Sequence, residues 1–203
     1  MSGRVRRLLL VLGPLAATVT APACSSPLPP HVSIPGVTLR LDQDHAPLQA
    51  PGHDGVAALA AVGEPVSFGP LVLTNTTGHP ITIVGVRPGP RDAGLTYLGV
   101  RASASQTRRV FSLGAAQGAF PYPSGGADWR PVPGVVVLPE HGGGARGVEI
   151  LVGVRAERPG RWTMRGASVT YEVGGQRYVT TYGDTYTVCA PATVESCDAV
   201  PAA

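Results

Sequence analysis

Between residues 148 and 182 three segments carry apolar side chains with a period of two, and a pair of glycines separates the last two. This restricts the chain more than any other feature, because a period of two belongs to strands buried on one face. Val148, Ile150, Val152 and Val154 share one face, which places Glu149 and Arg155 on the opposite, solvent side. Arg158-Pro159-Gly160 then turns the chain. Trp162 and Met164 begin the next strand on one parity, whereas Val169, Tyr171 and Val173 continue it on the other. One extra residue must be absorbed between them, so a β-bulge is expected at Arg165-Gly166, where glycine tolerates the backbone angles. Gly174-Gly175 predicts a two-residue hairpin loop. That loop sets Val173 against Gln176, Glu172 against Arg177 and Tyr171 against Tyr178. One face then gathers Val169, Tyr171, Val173, Tyr178 and Tyr182, and the other gains an opposite-charge pair.

Upstream, short apolar runs between Gly- and Pro-rich turns predict strands at 37–42, 66–68, 71–74, 81–87, 95–101, 108–113 and 134–138. Residues 75–80 read as a loop. The Ala-rich stretch 56–62 reads as a short helix between Gly55 and Gly63. The expected fold class is all-β, a two-sheet sandwich of about 7–10 strands. Leu71-Val-Leu-Thr-Asn-Thr-Thr-Gly-His-Pro-Ile-Thr-Ile and Arg158-Pro-Gly-Arg-Trp with its Tyr-rich hairpin carry a family likeness. They resemble the immunoglobulin-like modules of bacterial envelope proteins, although the Cys–Trp–Cys spacing of antibody domains is missing. The resemblance implies an immunoglobulin-like sandwich and transfers no activity, since such folds host many functions.

The first residues specify a destination. Arg4, Arg6 and Arg7 precede an apolar run from Leu8 to Val19, followed by small residues up to Ala23-Cys24. That order is a secretory signal peptide. The run falls short of the ~20 apolar residues a spanning helix needs. Arg6-Arg7 also suits the twin-arginine route, but Val5 replaces the usual Ser or Thr. Ala21-Pro22-Ala23-Cys24 resembles the lipobox of bacterial lipoproteins, which implies lipidation of Cys24. The three cysteines support this: an odd thiol in an exported protein needs an explanation, and Cys189 and Cys197 then form a disulfide. The expected organisation is a signal peptide at 1–23, a Ser/Pro-rich tether at 24–36, a sandwich at 37–190 and a disulfide-bearing tail at 191–203. The protein is expected on the outer face of the cell membrane by its lipid anchor, or else secreted.

Charge narrows the partners. All 16 basic residues are arginine, and three lie in the signal, leaving 13 against 13 acidic residues. A neutral mature chain argues against nucleic acid as a partner. The lack of lysine resembles the codon drift of GC-rich bacterial genomes.

Candidate sites are few. Phe120, Tyr122 and Trp129 stand in a Gly/Pro-rich stretch, 115–133, and form the best candidate contact with an envelope protein or glycan, because aromatics give contact area at few rotors. The competing reading has them folding back to cover the core. Asp42, Asp44, His45, His53 and Asp54 collect metal-ligand types without a rigid spacing, and read as a solvated loop. His141-Gly142-Gly143-Gly144 resembles an esterase oxyanion-hole loop, but no Gly-x-Ser-x-Gly elbow accompanies it. Met164 faces a core, so a copper site is not expected. Asn75-Thr76-Thr77 has the form of a glycosylation sequon. No cofactor and no catalytic residue is expected. The expected function is a non-enzymatic binding module of the envelope; the alternatives are a small-ligand or metal carrier, and an extracellular hydrolase.

Overall fold

In the computed structural model, the hairpin forms in the register that its turn dictates. The strands Gly160–Val173 and Gln176–Ala190 pair Val173 with Gln176, Glu172 with Arg177 and Tyr171 with Tyr178. Gly174 and Gly175 both take positive φ, 58° and 79°, as a primed turn requires. Arg177 donates to Glu172 through Nη2 at 2.6 Å and Nε at 2.9 Å. The Tyr171 and Tyr178 rings stack 5.7 Å apart. The ladder slips between Arg165 and Ala167, where the bulge was expected. Gly166 has φ 66° there, and a Cβ on it would stand 2.5 Å from the Tyr182 carbonyl oxygen.

The structure describes residues 36–50, 55–103, 114–123, 128–140, 147–192 and 197, all within one compact unit, Ser33–Ala203. Twelve strands lie among the described residues. They are β1 (Thr38–Leu41), β2 (Leu48–Gln49), β3 (Val56–Leu59), β4 (Pro65–Asn75), β5 (Ile81–Pro88) and β6 (Leu95–Ser103). Then follow β7 (Ala115–Gln117), β8 (Trp129–Arg130), β9 (Val135–Val137), β10 (Gly147–Ala156), β11 (Gly160–Val173) and β12 (Gln176–Ala190). The first sheet runs β1-β12-β11-β5-β9, with β3 also on β12; the second runs β2-β4-β10-β6-β8, with β7 also on β4. An immunoglobulin sandwich sets A-B-E-D against C-F-G. Here β2, β4, β10 and β6 take the first set of places, and β5, β11 and β12 the second. The fold is thus an all-β, immunoglobulin-like sandwich, as the sequence led us to expect.

The N-terminal strands correct two expectations. Residues 56–59 form β3 rather than a helix. They pair in parallel with Tyr186–Cys189 of β12, and Ala60 N–H extends the ladder to the Cys189 carbonyl at 3.0 Å. An open strand edge outweighs the helix preference of four residues. The two strands expected at 66–68 and 71–74 are one strand, β4, whose bulge places Gly69-Pro70 opposite Leu151. The bulge relieves proline of a ladder bond it cannot donate.

β10 also departs from the half-buried pattern: Glu149 is buried, at 6% exposure, and Leu151 is fully buried. The outer face of the second sheet is covered along β4 and β10, so these two strands bury both sides. The strand expected at 108–113 lies outside the described residues.

Between the sheets lie Phe68, Leu71, Ile81, Ile83, Ile150, Met164, Tyr171, Tyr182 and Tyr186, all fully buried. Phe68 and Tyr186 meet at 5.4 Å. Tyr182 O–H donates to the Leu48 carbonyl at 2.6 Å, and Tyr171 also hydrogen-bonds the Leu48 backbone. Two tyrosines of the first sheet therefore hold β2 in the second, a link of the kind an inter-sheet disulfide makes in antibodies. The disulfide here joins Cys189 to Cys197 across a separation of eight residues, at the end of β12. The chain-entropy account gives such a short loop about 2–3 kcal/mol. Urea midpoints of oxidised and reduced protein, and of Cys197→Ser, should show that loss; an unchanged midpoint would mean the tail adds nothing to the fold.

Candidate functional site

The outer face of the second sheet has an unusual seat. Gly99 on β6 and Gly153 on β10 are register partners in the middle of the sheet. Two adjacent glycines leave a hollow, and Phe120 fills it. A Cβ on Gly153 would stand 2.3 Å from the Phe120 ring, and one on Gly99 would stand 3.1 Å from it. The Arg101 guanidinium lies 5.8 Å from the ring centroid. Both ends of the segment are tied to the sheet. Gly118 N–H donates to the Pro65 carbonyl at 3.0 Å, and Ser67 Oγ donates to the Ala119 carbonyl at 2.8 Å. β7 pairs with β4, and β8 pairs with β6. Trp129 Nε1–H donates to the Tyr122 carbonyl at 2.9 Å, which joins the two arms. Asp128 and Arg130, exposed on either side of Trp129, form an ion pair at 2.7 Å.

The segment is thus a strap across the sheet. Phe120, Tyr122 and Trp129 are brought together on it and are half-buried, neither free in solvent nor sealed in the main core. Val72 and Leu151 of the same sheet are also buried but stand apart from the cluster between the sheets. Chemically the strap offers aromatic and proline surface fixed by hydrogen bonds, which suits contact with a partner. The seat was legible in part. Gly153 interrupts the outward parity of its strand, and a lone glycine in a strand marks close approach of another group.

The other candidates disperse. Asp42 precedes a short 3-10 turn, Gln43–His45, that contains Asp44 and His45; His53 and Asp54 are outside the described residues. No group of three metal-ligating side chains occurs among the described residues. His141 and its glycines, the lipidation candidate Cys24 and Arg108-Arg109 also lie outside them. Asn75 is wholly buried; its Nδ2 donates to the carbonyls of His79 at 2.8 Å and Val137 at 2.9 Å. Both amide hydrogens are committed, so the folded sequon presents no acceptor for a glycan. A groove of about 160 Å³ lies at the hairpin tip between Gly36, Val37, Thr38, Glu172, Gly175 and Arg177.

Two core tyrosines have strongly perturbed ionisations. Burial pushes the Tyr182 hydroxyl well above the ordinary tyrosine value, and neighbouring Tyr171 adds to the shift. Tyr186 is raised by burial, then by the charge of Asp184 and by its hydrogen bond to that carboxylate.

No protein-family model matches the chain, and no curated protein matches it. Two solved structures share its outline. The VesB protease of Vibrio cholerae is 12% identical, with a TM-score of 0.37 over 73% of this chain and 33% of that one. The chain therefore spans a third of that protein's length. The ASH/PapD-like domain 7 of human CEP192 is 10% identical, with a TM-score of 0.36 over 71% of this chain and 84% of that one. At these scores neither likeness assigns an activity or a partner.

Proposed function

We propose that the chain is an exported cell-envelope protein, held to the outer face of the membrane by lipid on Cys24, that works as a non-enzymatic binding module. Its contact surface is the strap bearing Tyr122 and Trp129, and its partner is an envelope protein or glycan. The observation that carries this reading is the strap itself. It crosses a sheet face, is fixed by side-chain and backbone bonds, and holds Trp129 at an edge strand beside an exposed ion pair. Aromatic residues held in this way give contact area at little further loss of rotamer freedom. Export rests on the charged, apolar and small-residue order of the first 24 residues.

A photo-reactive residue at Arg130, in intact cells, tests the surface. Amine-reactive reagents are a poor choice, because the chain has no lysine. One dominant adduct is expected, and its yield should fall at least about tenfold in Trp129→Ala, as for a central aromatic contact. An adduct indifferent to Trp129, or none at all, would remove the strap from the function.

A further inference from the structure

We propose that Phe120 is a latch: its seat between Gly99 and Gly153 holds the strap closed, and the closed strap is the form that presents Tyr122 and Trp129. This inference rests on the proposed function and names how that surface is regulated.

The geometry separates the strap from the fold beneath it. β4, β10 and β6 pair with one another along eight- and seven-residue ladders that need nothing from the strap. The strap's own sheet pairings cover three residues at β7 and two at β8. Its remaining ties are single hydrogen bonds, which contribute modestly when exposed to competition from water. The Phe120 ring seats against the sheet at Gly99 and Gly153. The seat also depends on glycine at its floor. A methyl group at Gly153 would stand 2.3 Å from the ring, so ring and side chain exclude one another. Arg101 beside the ring adds a cation–π contact that an aliphatic side chain would not receive. Local opening of such a segment, with the sheet intact, is the ordinary behaviour of loosely tied elements.

The steric exclusion supplies the test, a double-substitution cycle on the purified full-length protein read by amide hydrogen exchange. Phe120→Ala should speed exchange at residues 118–122 and 129–130 by about 10-fold, the loss expected from removing one half-buried aromatic ring. The β11–β12 ladder should change less than about threefold, being a distant and separate unit. Gly153→Ala should open the strap similarly in the wild-type background and add nothing in the Phe120→Ala background. Additive effects of the two substitutions, or acceleration spread evenly over both sheets, would overturn the latch. The same variants in the cross-linking assay should lose the adduct at Arg130. An adduct lost in Trp129→Ala but retained in Phe120→Ala would overturn the latch and leave the proposed function standing. A wild-type protein with no adduct would overturn the proposed function, while the exchange cycle still decides whether Phe120 holds the strap.

Discussion

Asn75→Asp should destabilise the domain by about 3–5 kcal/mol at neutral pH, the range for an uncompensated buried charge. Asn75 closes β4 in the second sheet, and its amide reaches across to the Val137 carbonyl on β9 of the first. Its Oδ1 accepts from Thr77 N–H at 2.9 Å and from Thr77 Oγ1 at 2.8 Å. All four contacts use one small side chain that is 0% exposed. Aspartate keeps the acceptor half and turns a second anionic oxygen on two carbonyls that were receiving hydrogen bonds. The new carboxyl is therefore held above its unfolded pKa of about 4. Such a group contributes stability below that pKa and loses it as the pH rises. The deficit should accordingly be smallest in acid and grow above pH ~4, a sign opposite to that of a paired carboxylate. Asn75→Ala has no such dependence and costs about 1–3 kcal/mol for each polar group left unsatisfied. Urea titrations of both variants at several pH values measure this. An Asn75→Asp protein within about 1 kcal/mol of wild type would mean that the inter-sheet bond contributes little.

The second large effect is expected in alkali. Tyr182 and Tyr186 have folded-state pKa values raised by burial, so above pH ~10 the unfolded chain releases protons that the native state keeps. Stability is fully present below that pH and falls above it, by about 1.4 kcal/mol per pH unit for each tyrosine and so about 3 kcal/mol for the two. Tyr171 shifts the same way, burial being the main cause. Ultraviolet titration of tyrosinate should therefore show fewer than the six tyrosines ionising before the fold is lost. The remainder should appear in one cooperative step, together with the loss of near-ultraviolet circular dichroism. Six tyrosines titrating smoothly near pH 10 in folded protein would contradict the packing of this core.

The features legible in the sequence were those set by neighbours along the chain. Two glycines fixed the hairpin register, and a change of parity at Gly166 located the bulge, because both are properties of a single strand pair. β3 was misread because Val56-Ala57-Ala58-Leu59 lacks any local mark of a strand; its pairing is dictated by an edge of β12 some 130 residues away. Glu149 falls on the solvent side in the sequence pattern because a period of two reports one covered face and is silent about the second, which buries Glu149 in the fold. For the same reason the three strap aromatics are recognisable as a group and Gly153 marks a close approach, while the glycine pair that seats Phe120 is not legible. Gly99 and Gly153 are 54 positions apart in the chain and become one site only through the β6–β10 register.

The two ends of the sandwich share a strand. β1 runs parallel to Arg177–Thr180, near the start of β12, whereas the chain leaves β12 at its far end, beyond Ala190. A load entering before Thr38 and leaving after Ala190 would pull these neighbours in opposite directions along their length. It would strain their ladder bonds together instead of opening them one by one like a zip. The domain is thus arranged to resist tension along its own axis, with the weakest line of force running across the sheet.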